Sequence, residues 1–350
     1  MKKMFALALF SAGFRCLAEI FLPDPTIFKD GEVFYLTGTH GASPGARSGG
    51  SVKIFPMYKS KNLSEWSAAG ADGGEMFALS GGNCLGFSQF WAPQIFRKSG
   101  KYYFAYTACA EESKDILKSF RVAIASADKI EGGFSNAFIL PSAVPEIDPF
   151  VFIDDDGKAY IYLVHWARGG GIWAQRLSDD LKTRVGEMKS CVRATEDWER
   201  TPLSAEFAKL NDAAKRENPD ISPWLLYRAS GVTAEGPTLV KRAGKYALFY
   251  SANDYRSPDY CVCVAVADSP MGDFKKLQKP VITRRNTGFN GTGHGDVFFD
   301  KTGGMWYVFH VHNSNAKIEP RRAAIVKLVE TVAPDGYPRY RIDPSTLRLL

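Results

Sequence analysis

The sequence predicts an all-β fold, a five-bladed β-propeller built as a single domain with a helical insertion between blades 3 and 4. Three internal repeats carry that expectation. A glycine that leads into an aromatic-rich strand occurs five times, at Gly31, Gly100, Gly157, Gly244 and Gly304, with spacings of 69, 57, 87 and 60 residues. Ala125-Ser126-Ala127-Asp128 with Gly132 and Phe134 matches Ala265-Val266-Ala267-Asp268 with Gly272 and Phe274, position for position. Ser60-Lys61-Asn62-Leu63 pairs in the same way with Ser178-Asp179-Asp180-Leu181. One supersecondary unit repeated at this period points to a radial array of four-stranded sheets, and five units give five blades.

The prototype unit runs from Glu146 to Leu163. Val151-Phe152-Ile153 is an apolar, β-favouring run, Asp155-Asp156-Gly157 is turn chemistry, and Tyr160-Ile161-Tyr162-Leu163 resumes the strand. Taken in order, the chain opens with Lys2 and Lys3, an apolar stretch over 4–12 and the small-residue run Cys16-Leu17-Ala18. That pattern reads as a secretion signal over 1–18, followed by a propeller domain over 19–350, and places the protein outside the cytoplasm, secreted or periplasmic. The apolar stretch is too short to span a bilayer, so no membrane insertion is expected. Cleavage would leave five cysteines, an odd number without a disulfide framework. Cys261 and Cys263 alternate with valines and read as buried small hydrophobes.

Blade 1 opens at Leu22-Pro23-Asp24-Pro25-Thr26-Ile27-Phe28, and the Gly/Ser-rich loop over 39–51 is expected at a rim. Blade 2 opens near Phe90-Trp91-Ala92-Pro93-Gln94-Ile95, and blade 3 is the prototype unit. An insertion over 191–231 explains the 87-residue spacing. Within it, Thr201-Pro202 resembles a helix start, Leu203, Phe207, Leu210 and Ala214 share a helical face, and Asn218-Pro219 stops the helix. Blade 4 opens at Thr233-Ala234-Glu235-Gly236-Pro237 and blade 5 at Gly291-Thr292-Gly293-His294-Gly295. Residues 331–350, which carry prolines, read as an irregular tail packed on the propeller.

Composition limits the partners. A net charge of +6, from 44 basic and 38 acidic residues without a basic tract, carries no nucleic-acid signal. Polar residues lead the first strand in four units: Asp24, Asp148, Glu235 and His294. Inner strands of a propeller run beside the central channel, so their leading ends converge. Three carboxylates at one channel mouth can split their pKa values, one protonated and one ionised, as glycosidic hydrolysis requires. Asp154-Asp155-Asp156 reads as an acidic turn and not as a metal cluster. His310 and His312 share a strand face and are read as rim or channel residues.

Pro23-Asp24-Pro25, Trp91-Ala92-Pro93, Ile147-Asp148-Pro149, Glu235-Gly236-Pro237 and Gly291-Thr292-Gly293-His294-Gly295, in this order, resemble the motif series of glycoside hydrolase family 43. The resemblance covers roughly residues 20–330 and implies a five-bladed propeller hydrolase that inverts anomeric configuration. By motif, it implies that Asp24 is the general base, Glu235 the general acid, and Asp148 the residue that tunes and orients the acid. It puts Trp91 and Phe90 at the sugar pocket and Arg322, with Arg321 as competitor, among the substrate-binding residues. It puts His294 beneath the site, touching substrate or holding a water or a calcium ion in the channel; no cofactor is required. Gln94 departs from the aspartate common at that position. The resemblance implies a pentose-containing oligo- or polysaccharide as substrate, cleaved by exo action at α-L-arabinofuranosyl or β-D-xylosyl linkages by a monomer. Endo-arabinanase, galactan or galactofuranoside cleavage, and a non-catalytic glycan-binding propeller are the alternatives.

Overall fold

The computed structural model describes residues 19–40, 54–70, 85–86, 88–110, 116–165, 171–200 and 233–350. Five antiparallel sheets follow one another along the chain as five propeller blades. Blade 1 is β1 (Thr26–Asp30), β2 (Val33–Thr37), β3 (Met57–Ser60) and β4 (Ser67–Ala68). Blade 2 is β5 (Ser88–Lys98), β6 (Lys101–Cys109), β7 (Phe120–Ala127) and β8 (Ser135–Ile139). Blade 3 is β9 (Glu146–Ile153), β10 (Ala159–His165), β11 (Ile172–Leu177) and β12 (Arg184–Val192). Blade 4 has three strands, β13 (Ala234–Arg242), β14 (Lys245–Ala252) and β15 (Cys261–Ala267). Blade 5 is β16 (Gly293–Phe299), β17 (Met305–Val311), β18 (Arg322–Val332) and β19 (Pro338–Leu349).

The repeats map onto turns. The five glycine-led copies are the hairpins between first and second strands, as where Asp30 pairs Val33 and Lys98 pairs Lys101. The other two repeats are turns after third strands. Leu63 and Leu181 both hold a left-handed backbone there, at φ +62° and +67°. The expected secretion signal over 1–18 and the expected helix between Thr201 and Asn218 lie outside the described residues.

Two expectations need correction. Among the described residues blade 4 has no regular fourth strand; its outer edge is two isolated bridges, Val266 to Lys275 and Val262 to Ile282. The expected irregular tail is instead β19, the outer strand of blade 5. Asp335-Gly336 makes the turn that folds it back on β18, and Tyr340 and Ile342 alternate inward. Pro338 opens the strand, a position where a missing N–H costs no ladder bond.

Each seam between blades is its own hydrophobic cluster, fed by strand alternation. In β14, Ala247 and Phe249 pack toward blade 5 with Val297 and Phe309, while Leu248 and Tyr250 pack toward blade 3 with Tyr162 and Ile172. Both faces of a blade are therefore buried, which is why its strands read as continuous apolar runs. The last seam joins blade 5 to blade 1, with Phe298, Trp306 and Val308 against Ile27, Phe34 and Leu36. Backbone bonds reinforce it: Ile20 N–H donates to Leu350 O at 2.7 Å and Ala323 N–H to Ile20 O at 2.9 Å. Among the described residues Cys109, Cys191, Cys261 and Cys263 are buried thiols not joined in disulfides.

Candidate active site

Each blade turns a corner at the same place on its inner strand. Asp24, Ala92, Asp148, Gly236 and His294 all sit in the left-handed region, at φ +50°, +44°, +57°, +59° and +44°. Proline follows in four blades and Gly295 in the fifth. A left-handed residue other than glycine costs about 1–3 kcal/mol, and proline cannot donate to the ladder, so the strand pairing slips at these corners. The slips occur beside Asp148 in β9, Gly236 in β13 and His294 in β16. The five corners ring the top of a narrow channel. Below them follow Pro25, Pro93, Pro149, Pro237 and Gly295, then Thr26, Gln94, Phe150, Thr238 and Asp296.

This ring revises the sequence alignment of the polar leaders. Asp24, Asp148 and His294 occupy equivalent corners, whereas in blade 4 the corner is Gly236 and Glu235 stands one residue earlier. A Cβ on Gly236 would lie 2.9 Å from the His294 ring, so the corner there carries no side chain and the preceding residue supplies the carboxylate.

Above the ring lies a cavity of about 500 Å³ lined by Asp24, Asp148, Glu235, Trp91, His294, Tyr255, Arg321 and others. The structure thus brings together Asp24, Asp148, Glu235, His294 and Trp91. Trp91 also leans on Phe120, with centroids 4.5 Å apart. Phe90 does not join them: it is buried against Phe55 and Tyr106 in the seam between blades 1 and 2. Adjacent strand residues point to opposite faces, so the strand that offers Trp91 to the cavity must withdraw Phe90. The same rule excludes Arg322, which donates to Glu19 and to the carbonyl of His312, and admits Arg321.

Asp24 is held by partners from three directions. Arg321 Nη1 donates to its Oδ1 at 3.0 Å, and the Thr39 hydroxyl donates to its Oδ2 at 2.6 Å. Thr39 accepts the Ala92 N–H at 2.8 Å, which leaves its own proton for Asp24. His294 Nδ1 lies 3.4 Å from Oδ1, and the Asp24 N–H donates to His310 Nδ1 at 3.2 Å. Burial alone would raise the Asp24 carboxyl, but Arg321 first and then His294 outweigh it and hold it well below the usual carboxylate range. His310, fully buried and beside Arg321, is pushed down to about 3 and stays a neutral imidazole. Arg321 is itself braced by Glu319, at 3.0 Å from its Nε, and lies over the Tyr255 ring at 4.5 Å.

Asp148 and Glu235 are tied across blades 3 and 4. The N–H of Gly236 donates to Asp148 Oδ2 at 3.1 Å, and the Asp148 N–H donates to Thr107 Oγ1 at 3.0 Å. The hydroxyl of Tyr260 donates to Glu235 Oε1 at 2.9 Å. Glu235 and Asp148 are buried, at 3% and 5% exposure, so what charge they carry is not spread into solvent. Thr39, Arg321 and Tyr260 reach the site from loops and strand ends with no motif around them.

Gln94 accepts the Val151 N–H at 2.6 Å and donates to the Val151 carbonyl at 3.1 Å, stitching blade 2 to blade 3. An aspartate could accept but not donate. In the same layer Asp296 accepts hydroxyls from Thr26 at 2.6 Å and Thr238 at 3.1 Å, and burial pushes it up to about 6. The Asp154 turn binds Lys241 and Tyr246 of blade 4, a structural role.

A family model described as Glycosyl hydrolases family 43 matches residues 16–338. The chain is 31% identical over 245 residues to a beta-xylosidase of Xylanibacter ruminicola, covering 63% of this chain and 65% of that protein. It is 25% identical over 338 residues to a xylosidase/arabinosidase of Butyrivibrio fibrisolvens, covering 94% of this chain and 56% of that protein. The chain therefore spans less than two thirds of the length of these curated relatives. Among solved structures, an endo-1,4-beta-xylanase from Bacteroides thetaiotaomicron VPI-5482 superposes with a TM-score of 0.71 at 30% identity, covering 93% of this chain and 95% of that one.

Proposed function

The chain belongs to glycosyl hydrolase family 43, and from that premise we propose that it is an inverting glycosidase of xylosyl or arabinofuranosyl linkages. One observation carries the reading: an ionised, cation-braced Asp24 and a buried, tyrosine-held Glu235 line the same cavity. Asp24 takes a proton from water as the water oxygen attacks the anomeric carbon. Glu235 gives its proton to the glycosidic oxygen as the bond to that carbon breaks. Asp148, through its bond from Gly236, holds the backbone that carries Glu235, and the Trp91 ring offers an apolar face to a sugar. A calcium ion takes six to eight oxygen ligands. In the channel both oxygens of Asp296 already accept threonine hydroxyls, and His294 Nδ1 faces Asp24, so these residues fit calcium poorly.

The names of the curated relatives support exo action on xylosides or arabinosides. The match over nearly the whole length of an endo-1,4-beta-xylanase favours a second, endo reading. Proton NMR of early digests of xylo- and arabino-oligosaccharides tests both. The expected first product is a monosaccharide of inverted anomeric configuration. Retained configuration would overturn the mechanism, and internal fragments from xylan would replace exo with endo action.

The arginine assignment gives a second expectation. Arg321→Gln removes the largest stabiliser of the ionised Asp24, so the acidic limb of the rate profile should move to higher pH. Removing one partner of a buried ion pair also costs about 3–5 kcal/mol of stability. Arg322→Gln should leave that limb in place. Equal limbs for the two variants would return the substrate side of blade 5 to Arg322.

A further inference from the structure

We propose that Tyr260 is the positioning residue of the acid: its hydroxyl, donated to Oε1 of Glu235, keeps the transferable proton on Oε2. The inference rests on the reading of Glu235 as proton donor. A protonated carboxyl has one carbonyl oxygen, a good acceptor, and one hydroxyl oxygen, a poor one. A fixed donor at Oε1 therefore makes Oε1 the carbonyl oxygen and leaves the proton to Oε2.

Tyr260 has the rigidity this requires. Its side chain is fully buried, and its ring stacks on the neutral His310 at 5.6 Å and 13°. Gly293 leaves the space the ring fills, since a Cβ there would stand 2.4 Å from two ring carbons. The Thr292 hydroxyl donates to the Tyr260 carbonyl at 3.0 Å, and the Tyr260 N–H donates to Ser257 O at 3.1 Å. Backbone and ring are both held, so the hydroxyl has one direction.

The surrounding charges keep it a donor. Burial, then the negative charges of Glu235, Asp24 and Asp148, raise the phenol well above its ordinary value. On the Asp24 side His310 stacks on its ring, and His294 and Arg321 lie against His310 in turn. A donor to the carboxylate favours the ionised form of Glu235, while an ionised Asp148 opposes it. The acid's working range is then a balance between Tyr260 and Asp148.

Tyr260→Phe keeps the ring under Gly293 and removes the hydroxyl. On a xylo-oligosaccharide, kcat should fall roughly 10- to 100-fold, the span of a hydrogen bond to a charged group, and far less on an aryl glycoside with an activated leaving group. The alkaline limb of kcat/KM should move to higher pH by about 1. In a Glu235→Gln background the same change should have no further effect. Incorporating 3-fluorotyrosine at position 260, a stronger donor of nearly equal size, should move the limb to lower pH and serves if the phenylalanine variant fails to fold. An unmoved limb in both, or the same loss in the Glu235→Gln background, would overturn the inference while Glu235 stands as the acid. If Glu235→Gln itself loses equally on good and poor leaving groups, the acid reading falls and this inference with it.

Discussion

Asp24→Asn should leave a folded protein in which turnover falls by about 10⁴-fold, the upper end for loss of a general base, on natural and activated substrates alike. The loss is blind to the leaving group because water must attack whatever departs. Asparagine keeps the shape but offers one acceptor oxygen, for Arg321 or for Thr39 and not for both, and it has no lone pair basic enough to take the proton. The wild-type acidic limb should lie below the usual carboxylate range, since Arg321 and His294 hold Asp24 ionised. The stability linkage has the same sign. A carboxyl depressed in the folded state stabilises above its unfolded pKa, and that contribution disappears as pH falls through the folded value. Kinetics on an oligosaccharide and a nitrophenyl glycoside, with circular dichroism to confirm folding, test this. A variant that keeps a tenth of wild-type activity on either substrate would remove Asp24 from water activation.

Glu235→Gln is expected to separate the two substrate types. An oligosaccharide, whose leaving oxygen needs a proton, should lose roughly 10²–10⁴-fold, while an aryl glycoside with an acidic phenol should lose much less. Asp148→Asn removes the opposing negative charge and should move the alkaline limb to lower pH, because Glu235 would ionise sooner. That is opposite to the displacement expected for Tyr260→Phe, so the two variants check one another. Equal losses of Glu235→Gln on both substrates, with chemistry rate-limiting, would sink the assignment.

The blades were legible because each one opens on a hairpin whose turn demands glycine or Asp-Gly and whose second strand is aromatic. Those are local rules, and five copies leave five marks. The corners were legible for the same reason, since the residue-proline pairs that stop ladder pairing are visible in sequence. The phase of blade 4 was written in Gly236-Pro237 as well, but Glu235 matches the other leaders in chemistry and aligns with them by type; the backbone angle of Gly236 makes the one-residue offset plain. Arg321 and Arg322 are indistinguishable by type, and the register of β18 against β17 decides between them. Thr39 and Tyr260 matter through one hydroxyl each, and no spacing announces where a loop will deliver a hydroxyl. The last strand was misread because Pro338 and the Asp335-Gly336 turn look like a tail until the edge of blade 5 is there to receive them.

The ring of left-handed corners separates two tasks that most sites combine. Backbone geometry alone, repeated five times, aims five successive positions at one point, and it does so with a carboxylate, a methyl, a carboxylate, a bare glycine and an imidazole. The aiming device is therefore indifferent to what it aims. A change of side chain at a corner swaps a reagent without redrawing the scaffold, and a change of corner geometry disarms a reagent without altering its chemistry. Two corners, Ala92 and Gly236, carry no functional group, and at Gly236 the His294 ring leaves no room for one. Ala92 marks the corner where the architecture can accept another chemistry while Asp24, Asp148 and His294 keep theirs.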